Sequence, residues 1–381
     1  MSCITLIKSA LDHSGGLEKY AWRLAHDFCA LGLSVTLLTT GTISPPFSHP
    51  LLTLVSFPIQ HRLSVLKLLA FDKACTAYLH AHPTPIVFDL DRTRFSTHIR
   101  AGNGVHAHYL EARAQEEGMA KAWSFRLNPL HRTLLSLEKR SFEQPHLQKL
   151  FTNSHMVRTQ ILARFAIPAE KITVLHNGVE WHELQDPFDQ WEKVKVCYCE
   201  KGGLDPTVYQ FLFSGHHYKR KGLDKLLSAL AHLKEEPFQL SVVGKDRDLP
   251  LYRKMAVSLG LEKKVFFFGS VSSMTPFYQY ADALVIPSLY DPFANVTVEA
   301  LAMGLFVISS QTNGGCEVLT EDTGRILDDL HDPTLFASTL RTALSHPKTR
   351  ENALMIRQSI KHLDFSQQLR QMTMHVLESR V

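Results

Sequence analysis

Two carboxylates separated by seven residues are the feature of this sequence best suited to binding a polar ligand. Asp291 follows the apolar run 283–286, and Glu299 lies among good helix formers that Gly304 ends. This order predicts a strand, a loop and a helix. One acid can then bind the hydroxyls of a sugar and the other those of a ribose. The alternative is an ordinary strand and helix unit whose carboxylates cap the helix and face solvent.

The start of that predicted helix offers a second kind of contact. The first backbone N–H groups of a helix have no acceptor within it, and the positive end of the helix dipole lies there. With Asn295 as the expected N-cap, the N–H groups of about residues 294–297 point out of the helix. Ala294, Asn295 and Val296 are therefore candidate contacts to an anion or a sugar hydroxyl.

A cluster of cations follows another predicted strand. Gly215 and Gly222 bracket the sequence His-His-Tyr-Lys-Arg-Lys, which opens a predicted helix. Cations placed there can stabilise a diphosphate leaving group, whose negative charge grows as its bond to a sugar breaks. Arg220 and Lys221 are thus candidate catalytic residues, and Lys219 is a possible bystander. The spacing alone also fits a solvated basic loop.

Glycine-rich turns supply the remaining candidates. Gly15 and Gly16 open the first predicted helix and allow close approach of a ligand, although such turns also occur in plain strand and helix joins. Gly244, which ends a further predicted strand, and Gly215 of the basic loop are candidate contacts to the substrate. Residues 100–108 contain a formal dinucleotide fingerprint, but it does not follow the first strand. We interpret it as a loop that carries His106 to a ligand; a structural histidine is the alternative.

Several of these segments resemble the retaining GT-B glycosyltransferases of family four. Residues 282–304 are similar to the acidic-x7-acidic signature of that family, with Asp291 where Glu is usual and Ala294 where Gly is usual. The basic loop is similar to the G-x-x-x-x-x-K-G segment of the family. The loop with Gly15 and Gly16 resembles its glycine-rich first loop, which lies over the donor phosphates.

The resemblance implies a role for each candidate. Arg220 and Lys221 would clamp the diphosphate of a nucleotide sugar. Asp291 would bind the transferred sugar, and Glu299 would bind the ribose. His106 would contact the donor sugar or the acceptor, because the equivalent loop of related enzymes lies beside the reacting sugar.

The alternation of apolar runs and helical segments predicts how these residues are positioned. It is typical of an α/β protein with parallel sheets covered on both faces, and 381 residues suit two domains. The resemblance implies the GT-B fold, two doubly wound Rossmann-like domains that face each other across a cleft. We expect an acceptor domain at 1–180 and a donor domain at 186–361, joined by a junction at 179–206. A last helix at about 362–381 would return to the first domain.

The charge distribution predicts an anionic partner for the first half. Residues 1–180 carry 19 Lys and Arg against 13 Asp and Glu, whereas the remainder carries 22 against 24. A phosphorylated acceptor, an acidic membrane surface or a mixed solvated face would fit this surplus. Basic and aromatic residues interleave in the predicted helical stretch 114–148, which suits contact with an anionic membrane or packing on its own sheet. Its segment 137–144 resembles lipopolysaccharide core glucosyltransferases.

No metal site or cofactor is expected. Asp89 with Asp91, and Asp246 with Asp248, match a metal-binding Asp-x-Asp pattern formally. The first pair lies in the half not expected to hold the donor, and in the second pair Arg247 is a cation that competes with a metal ion for the two acids.

The six cysteines form no C-x-x-C pair, and no apolar run approaches the ~18 residues of a spanning helix. These features predict a cytoplasmic protein, soluble or peripheral on the inner face of the membrane.

The expected activity is metal-independent, retaining transfer of a hexose to a lipid-linked or lipopolysaccharide core acceptor. UDP-glucose is the favoured donor, followed by ADP-heptose or GDP-mannose. A nucleotide-sugar epimerase would act on the donor alone, and a non-catalytic nucleotide-sugar-binding protein would bind it without turnover. No nucleic-acid partner is expected.

Overall fold

The computed structural model describes residues 3–11, 16–41 and 45–378. The chain forms two compact units, the first comprising Met1–His176 with Gln368–Val381 and the second comprising Asn177–Gln367. Their junctions therefore fall at residues 176 and 367, compared with the predicted 180 and about 362.

The first unit contains, in its described part, a parallel sheet of seven strands in the order β3-β2-β1-β4-β5-β6-β7. The strands are β1 (Cys3–Ile7), β2 (Ser34–Thr40), β3 (Leu52–Phe57), β4 (Ile86–Asp89), β5 (His98–Arg100), β6 (Lys149–Thr152) and β7 (Ile172–Val174). Strand β5 was not predicted from the sequence. Its three residues are all buried, but His98 and Arg100 interrupt the apolar pattern by which buried strands are recognised.

The described residues of this unit up to residue 176 contain six helices: α1 (Gly16–Ala30), α2 (Ser64–Ala81), α3 (His106–Glu117), α4 (Met119–Leu127), α5 (Pro129–Phe142) and α6 (His155–Arg164). A 3-10 turn covers Ala169–Lys171. The predicted helical stretch 114–148 is thus the end of one helix followed by two short ones. Gly118 breaks it with a φ of +86°, and Asn128 caps α5 by accepting a hydrogen bond from the N–H of Leu130 at 2.9 Å.

The second unit contains a parallel sheet of six strands in the order β10-β9-β8-β11-β12-β13, counted over its described residues. The strands are β8 (Tyr209–Ser214), β9 (Phe238–Val243), β10 (Val265–Gly269), β11 (Ala283–Ile286), β12 (Phe306–Ser310) and β13 (Gly324–Leu327). The strand order reverses between β8 and β11. Ligands of open α/β sheets bind beyond the carboxyl ends of the strands at such a reversal.

The helices of residues 177–378 are α7 (Gln185–Lys201), α8 (Leu223–Ala231), α9 (Leu249–Ser258), α10 (Thr275–Tyr280), α11 (Asn295–Ala302), α12 (Pro333–Leu344), α13 (Arg350–Ser359) and α14 (Phe365–Glu378). Two 3-10 turns cover Gly314–Val318 and Lys361–Leu363. Helix α7 occupies the predicted junction 179–206. It buries Phe188 and Trp191 in the core of the second unit, so this segment is structural.

The core of the second unit fixes the loops at the strand ends. All four residues of β11 are buried, and α8 buries Leu223, Leu226, Leu227 and Leu230 at the i, i+3, i+4, i+7 spacing of one helix face. Because both elements are packed in this way, the loop that precedes α8 and the loop that follows β11 have fixed ends. Among the helices described here, none has the length and apolar character needed to cross a bilayer.

Candidate functional site

The basic loop and the first acid of the pair meet at the strand reversal of the second sheet. The loop after β8 brings Lys221 Nζ to 2.6 Å from Asp291 Oδ2, in the loop after β11. Arg220 Nη1 lies 3.5 Å from the same carboxylate oxygen and donates to the carbonyl of Tyr290 at 3.3 Å. The backbone N–H of Leu289 donates to the carbonyl of Arg220 at 2.9 Å. Side chains and backbone therefore join the two loops.

This ion pair is buried. Lys221 is 7% exposed and Asp291 is 8% exposed, whereas Arg220 is half-buried. An ammonium group has three N–H donors, and a guanidinium group has five. Lys221 and Arg220 can therefore keep Asp291 in place and still donate to the oxygens of an incoming anion.

The segment after β12 positions Asp291. The backbone N–H of Asp291 donates to the carbonyl of Thr312 at 3.0 Å, and its own carbonyl accepts from the N–H of Gly314 at 2.9 Å. Asn313 Oδ1 accepts from the N–H groups of Ala294 and Gly315 at 3.0 and 3.1 Å. Asn313 lies in residues 309–317, whose glycine pair resembles a later glycine pair of the family and predicts a segment that closes the donor pocket.

The prediction of Asn295 as the N-cap of α11 is wrong. The helix begins at Asn295 with Ala294 at the N-cap, and the N–H of Ala294 donates to Asn313 in another loop. Asn295 Oδ1 instead accepts from Asn177 Nδ2 at 2.6 Å. The N–H of Thr297 donates to the carbonyl of Ala294. Within the described ranges, the N–H groups of Asn295 and Val296 make no hydrogen bond and can serve a ligand.

The second acid of the pair is oriented by a buried tyrosine. Tyr278 Oη donates to Glu299 Oε2 at 2.6 Å, and Tyr278 is 2% exposed. Burial and the neighbouring Glu299 raise the pKa of Tyr278 well above its usual value, so the hydroxyl keeps its proton and remains a donor. No spacing in the sequence predicted this contact, which arises because α10 and α11 are close in the folded unit.

The comparisons with known proteins identify the family. Residues 14–182 match the family described as Glycosyltransferase Family 4, and residues 199–358 match the one described as Glycosyl transferases group 1. The chain belongs to the family 4 glycosyltransferases. The first match covers most of the first unit and continues into residues 177–182 of the second, and the second match lies within the second unit.

Individual relatives agree with this assignment. The lipopolysaccharide glucosyltransferase WaaG of Escherichia coli (strain K12) is 25% identical over 246 residues, which cover 64% of this chain and 64% of WaaG. The crystal structure of WaaG, described as a glycosyltransferase involved in lipopolysaccharide biosynthesis, superposes with a TM-score of 0.76 at 20% identity, covering 98% of this chain and 99% of that one. Anabaena HepE in complex with UDP-glucose superposes with a TM-score of 0.69 at 14% identity, covering 99% and 100%.

The solved structures establish the GT-B fold for the two parallel sheets of this family 4 chain. The alignments to the first three curated relatives span 46%, 64% and 65% of the length of those proteins.

Two glycines of the family 4 chain position Lys221. A Cβ atom on Gly244, whose φ is +132°, would lie 2.0 Å from the carbonyl oxygen of Gly215. A Cβ atom on Gly215 would lie 2.9 Å from Cγ of Lys221. The chain therefore packs backbone against backbone and against the stem of the lysine, which only glycine allows here. Gly215 and Gly244, which were predicted as ligand contacts, thus also shape the basic loop.

Gly222 gives a direct test of this packing. Its φ is +75°, and an added Cβ would lie 2.0 Å from the carbonyl oxygen of Pro287, in the loop that carries Asp291. Gly260 has nearly the same φ, +72°, but an added Cβ would meet no atom within 4 Å. Gly260→Ala should lower the free energy of unfolding by roughly 1–2 kcal/mol through φ alone. Gly222→Ala should lower it by about 3 kcal/mol or more, measured by urea unfolding; equal losses would contradict the packing.

Tyr278 can be tested against a tyrosine on the same short helix. Tyr278→Phe should raise the KM for a nucleotide-sugar donor about tenfold, because Glu299 loses the hydrogen bond that orients it. Tyr280 is also buried, but its hydroxyl pairs with Ser241 Oγ at 2.8 Å. Tyr280→Phe should therefore change that KM by less than about twofold. Steady-state kinetics with both variants checks this, and equal effects would remove the role of Tyr278.

The candidates of the first unit are Gly15, Gly16 and His106. Gly15 lies outside the described residues, and Gly16 is the first residue of α1. His106 begins α3, where its backbone N–H donates to the buried carboxylate of Glu138 at 2.9 Å and its Nε2 lies 3.1 Å from His131 Nδ1. Burial, then Arg92 and His131, lower the pKa of His106 to about 4, so the ring is neutral at pH 7. Its contact with a substrate stays a prediction.

The first carboxylate of each formal Asp-x-Asp pair accepts hydrogen bonds from backbone N–H groups. Asp89 is fully buried and accepts from the N–H groups of Asp91 and Thr93, and burial followed by Asp91 raises its pKa to about 7. Asp246 accepts from the N–H groups of Tyr218 and Asp248 at 2.6 and 2.7 Å. In the family 4 chain both carboxylates therefore stabilise turns at the ends of strands.

Proposed function

We propose that this chain transfers a hexose from a nucleotide sugar to a hydroxyl acceptor, with retained anomeric configuration and UDP-glucose as the favoured donor. The observation that carries the proposal is the buried contact of Lys221 with Asp291, flanked by Arg220, at the strand reversal of the second sheet. It combines a diphosphate-binding charge with a hydroxyl-binding carboxylate at one point. UDP-glucose is favoured because WaaG is described as a glucosyltransferase and HepE binds UDP-glucose.

Each side chain then has a defined task in transfer. Arg220 and Lys221 donate to the diphosphate and stabilise the negative charge that develops as the bond from the sugar carbon to the phosphate oxygen breaks. Asp291 and the N–H groups of Asn295 and Val296 bind hydroxyls of the transferred sugar. Glu299, oriented by Tyr278, binds the ribose. The acceptor oxygen forms the new bond on the same face, and its proton passes to the departing phosphate oxygen.

Transfer in this proposal needs no metal ion. Lys221 and Arg220 provide positive charge at the strand reversal of the second sheet. The N-terminus of α11 lies at the end of the loop that carries Asp291 and adds the positive end of a helix dipole. The carboxylates Asp89 and Asp246 that could hold a metal are engaged with backbone N–H groups. No cofactor other than the nucleotide-sugar substrate is proposed.

The proposed acceptor is a lipopolysaccharide core or other lipid-linked sugar at the inner face of the cytoplasmic membrane. Helix α4 supports membrane contact, because Met119, Trp123 and Leu127 are exposed at the i, i+4, i+8 spacing of one face. Lys121 and Arg126 lie on the same helix, where they can meet anionic lipid headgroups.

Transfer assays with a panel of nucleotide sugars test the proposal. The purified chain is incubated with UDP-glucose, GDP-mannose or ADP-heptose, a truncated lipopolysaccharide acceptor and a chelator, and the product linkage is determined by NMR. We expect glucose transfer with retained configuration in the presence of the chelator. Product from the nucleotide sugar alone would instead indicate an epimerase, and donor binding without turnover would indicate a binding protein.

A further inference from the structure

A basic groove lies between α2 and α5 in the first unit. It has a volume of about 530 Å³, and its walls carry the cationic side chains of Lys73, Arg94, Arg132 and Arg140. Thr133 and Ser136 also line it, and no carboxylate is among the described residues that line this part of the groove.

The helices place these groups along one line. Arg132, Ser136 and Arg140 recur at the i, i+4, i+8 spacing and therefore share a face of α5. Lys73 reaches the groove from α2. A second cavity of about 540 Å³ shares Arg94, Ser136 and Arg140 with the first and extends the groove to Glu143, whose carboxylate lies 3.9 Å from Lys139 Nζ.

Most of the positive charge of this groove is not compensated. Arg94 is held by the buried Asp72, which accepts from its backbone N–H at 2.9 Å and from its guanidinium group. Within the described part of the chain, no carboxylate lies within 4.0 Å of the charged nitrogens of Lys73, Arg132 or Arg140. Three cations thus face the groove without a partner of opposite charge.

We propose that this groove binds phosphate groups. Arginine forks and serine or threonine hydroxyls match the oxygens of a phosphate monoester or diester, and the lysine adds a point charge. The groove belongs to the first unit and shares no residue with the proposed donor cluster of the second unit, which consists of Arg220, Lys221, Asp291 and Glu299. The proposal therefore does not depend on sugar transfer. The phosphate can come from a lipid headgroup or from a soluble phosphorylated sugar, because both present the same oxygens.

The neighbouring apolar residues favour the lipid source. Leu69 lines the groove and is 42% exposed. Leu127, which is 74% exposed, lies two residues before Pro129, another lining residue. Apolar side chains beside unpaired cations suit a surface that has phosphate headgroups above hydrocarbon.

Binding by the full-length chain tests the proposal with two probes. One probe is vesicles of phosphatidylcholine with phosphatidylglycerol, compared with phosphatidylcholine alone. The other is soluble inositol hexakisphosphate, titrated with UDP present to occupy the second unit. The test variant combines Lys73→Gln, Arg132→Gln and Arg140→Gln. The control combines Lys193→Gln, Lys254→Gln and Lys263→Gln, which removes the same charge from exposed lysines of the second unit.

We expect the test variant to weaken binding of at least one probe by on the order of a hundredfold, since each cation contributes separately. The control should change binding by less than about threefold. An effect confined to the vesicles assigns the phosphate to a lipid headgroup, and an effect on the soluble probe assigns it to a phosphorylated sugar. Equal losses in test and control variants, or no binding of either probe by the wild type, would overturn the proposal. UDP binding, measured in both variants, should stay unchanged and reports on the donor cluster separately.

Discussion

Lys221→Met is expected to lower kcat for hexose transfer by about two to three orders of magnitude. The lysine is buried, and its ammonium group lies at the strand reversal where the diphosphate is proposed to bind. Methionine preserves the length and apolar stem of the side chain but removes the charge. Since negative charge on the diphosphate increases as the sugar bond breaks, the loss should appear in kcat more than in KM.

Lys219→Met is the matched control for this variant. Lys219 belongs to the same loop but is exposed, and the sequence already suggested that it is a bystander. We expect its kcat to stay within about twofold of the wild type. Circular dichroism and thermal unfolding should accompany the kinetics, because leaving a buried Asp291 with a weaker partner is destabilising by itself. A folded Lys221→Met enzyme with normal kcat would remove the lysine from the mechanism.

Asp291→Asn is expected to have opposite effects on two measurements. The carboxylate lies 2.6 Å from Lys221 Nζ, so it repels a diphosphate that approaches the same ammonium group. Removing its charge should tighten UDP binding about tenfold, because one unfavourable charge interaction in a partly buried site disappears. Transfer should nevertheless slow by about a hundredfold, since the acid that binds the sugar hydroxyls is lost.

Calorimetry with UDP and steady-state kinetics with the full donor separate these effects. Asp322→Asn serves as the control, because Asp322 is an exposed carboxylate of the same unit and should leave both values within about twofold. If Asp291→Asn weakened UDP binding and transfer in parallel, the acid would support the loop structurally. Its proposed contact with the sugar would then be wrong.

The sequence predicted the chemical groups of the site better than their arrangement. The acid pair and the basic loop were visible because residue types, flanking strands and family resemblance agreed. The family resemblance implied that they bind one nucleotide sugar, but the residue spacing did not show their direct contact, because that contact depends on parallel pairing of β8 with β11 across the strand reversal. The contact between Lys221 and Asp291 therefore emerged only from the fold.

The errors of prediction have tertiary causes. Asn295 has the residue type of an N-cap, but its side chain accepts a hydrogen bond from Asn177 and does not cap the helix. Tyr278 lies in a short apolar and aromatic helix and carries no local sign of its bond to Glu299. Strand β5 was missed because His98 and Arg100 are buried polar residues. In each case a neighbour distant in sequence determined the outcome.

A crystal structure of the chain with UDP is the decisive check of the proposal that Lys221 and Arg220 hold the diphosphate of the donor at the strand reversal of the second sheet. We expect diphosphate oxygens within about 3 Å of Lys221 Nζ and of the Arg220 guanidinium group. A diphosphate bound elsewhere, with the contact between Lys221 and Asp291 unchanged, would contradict it.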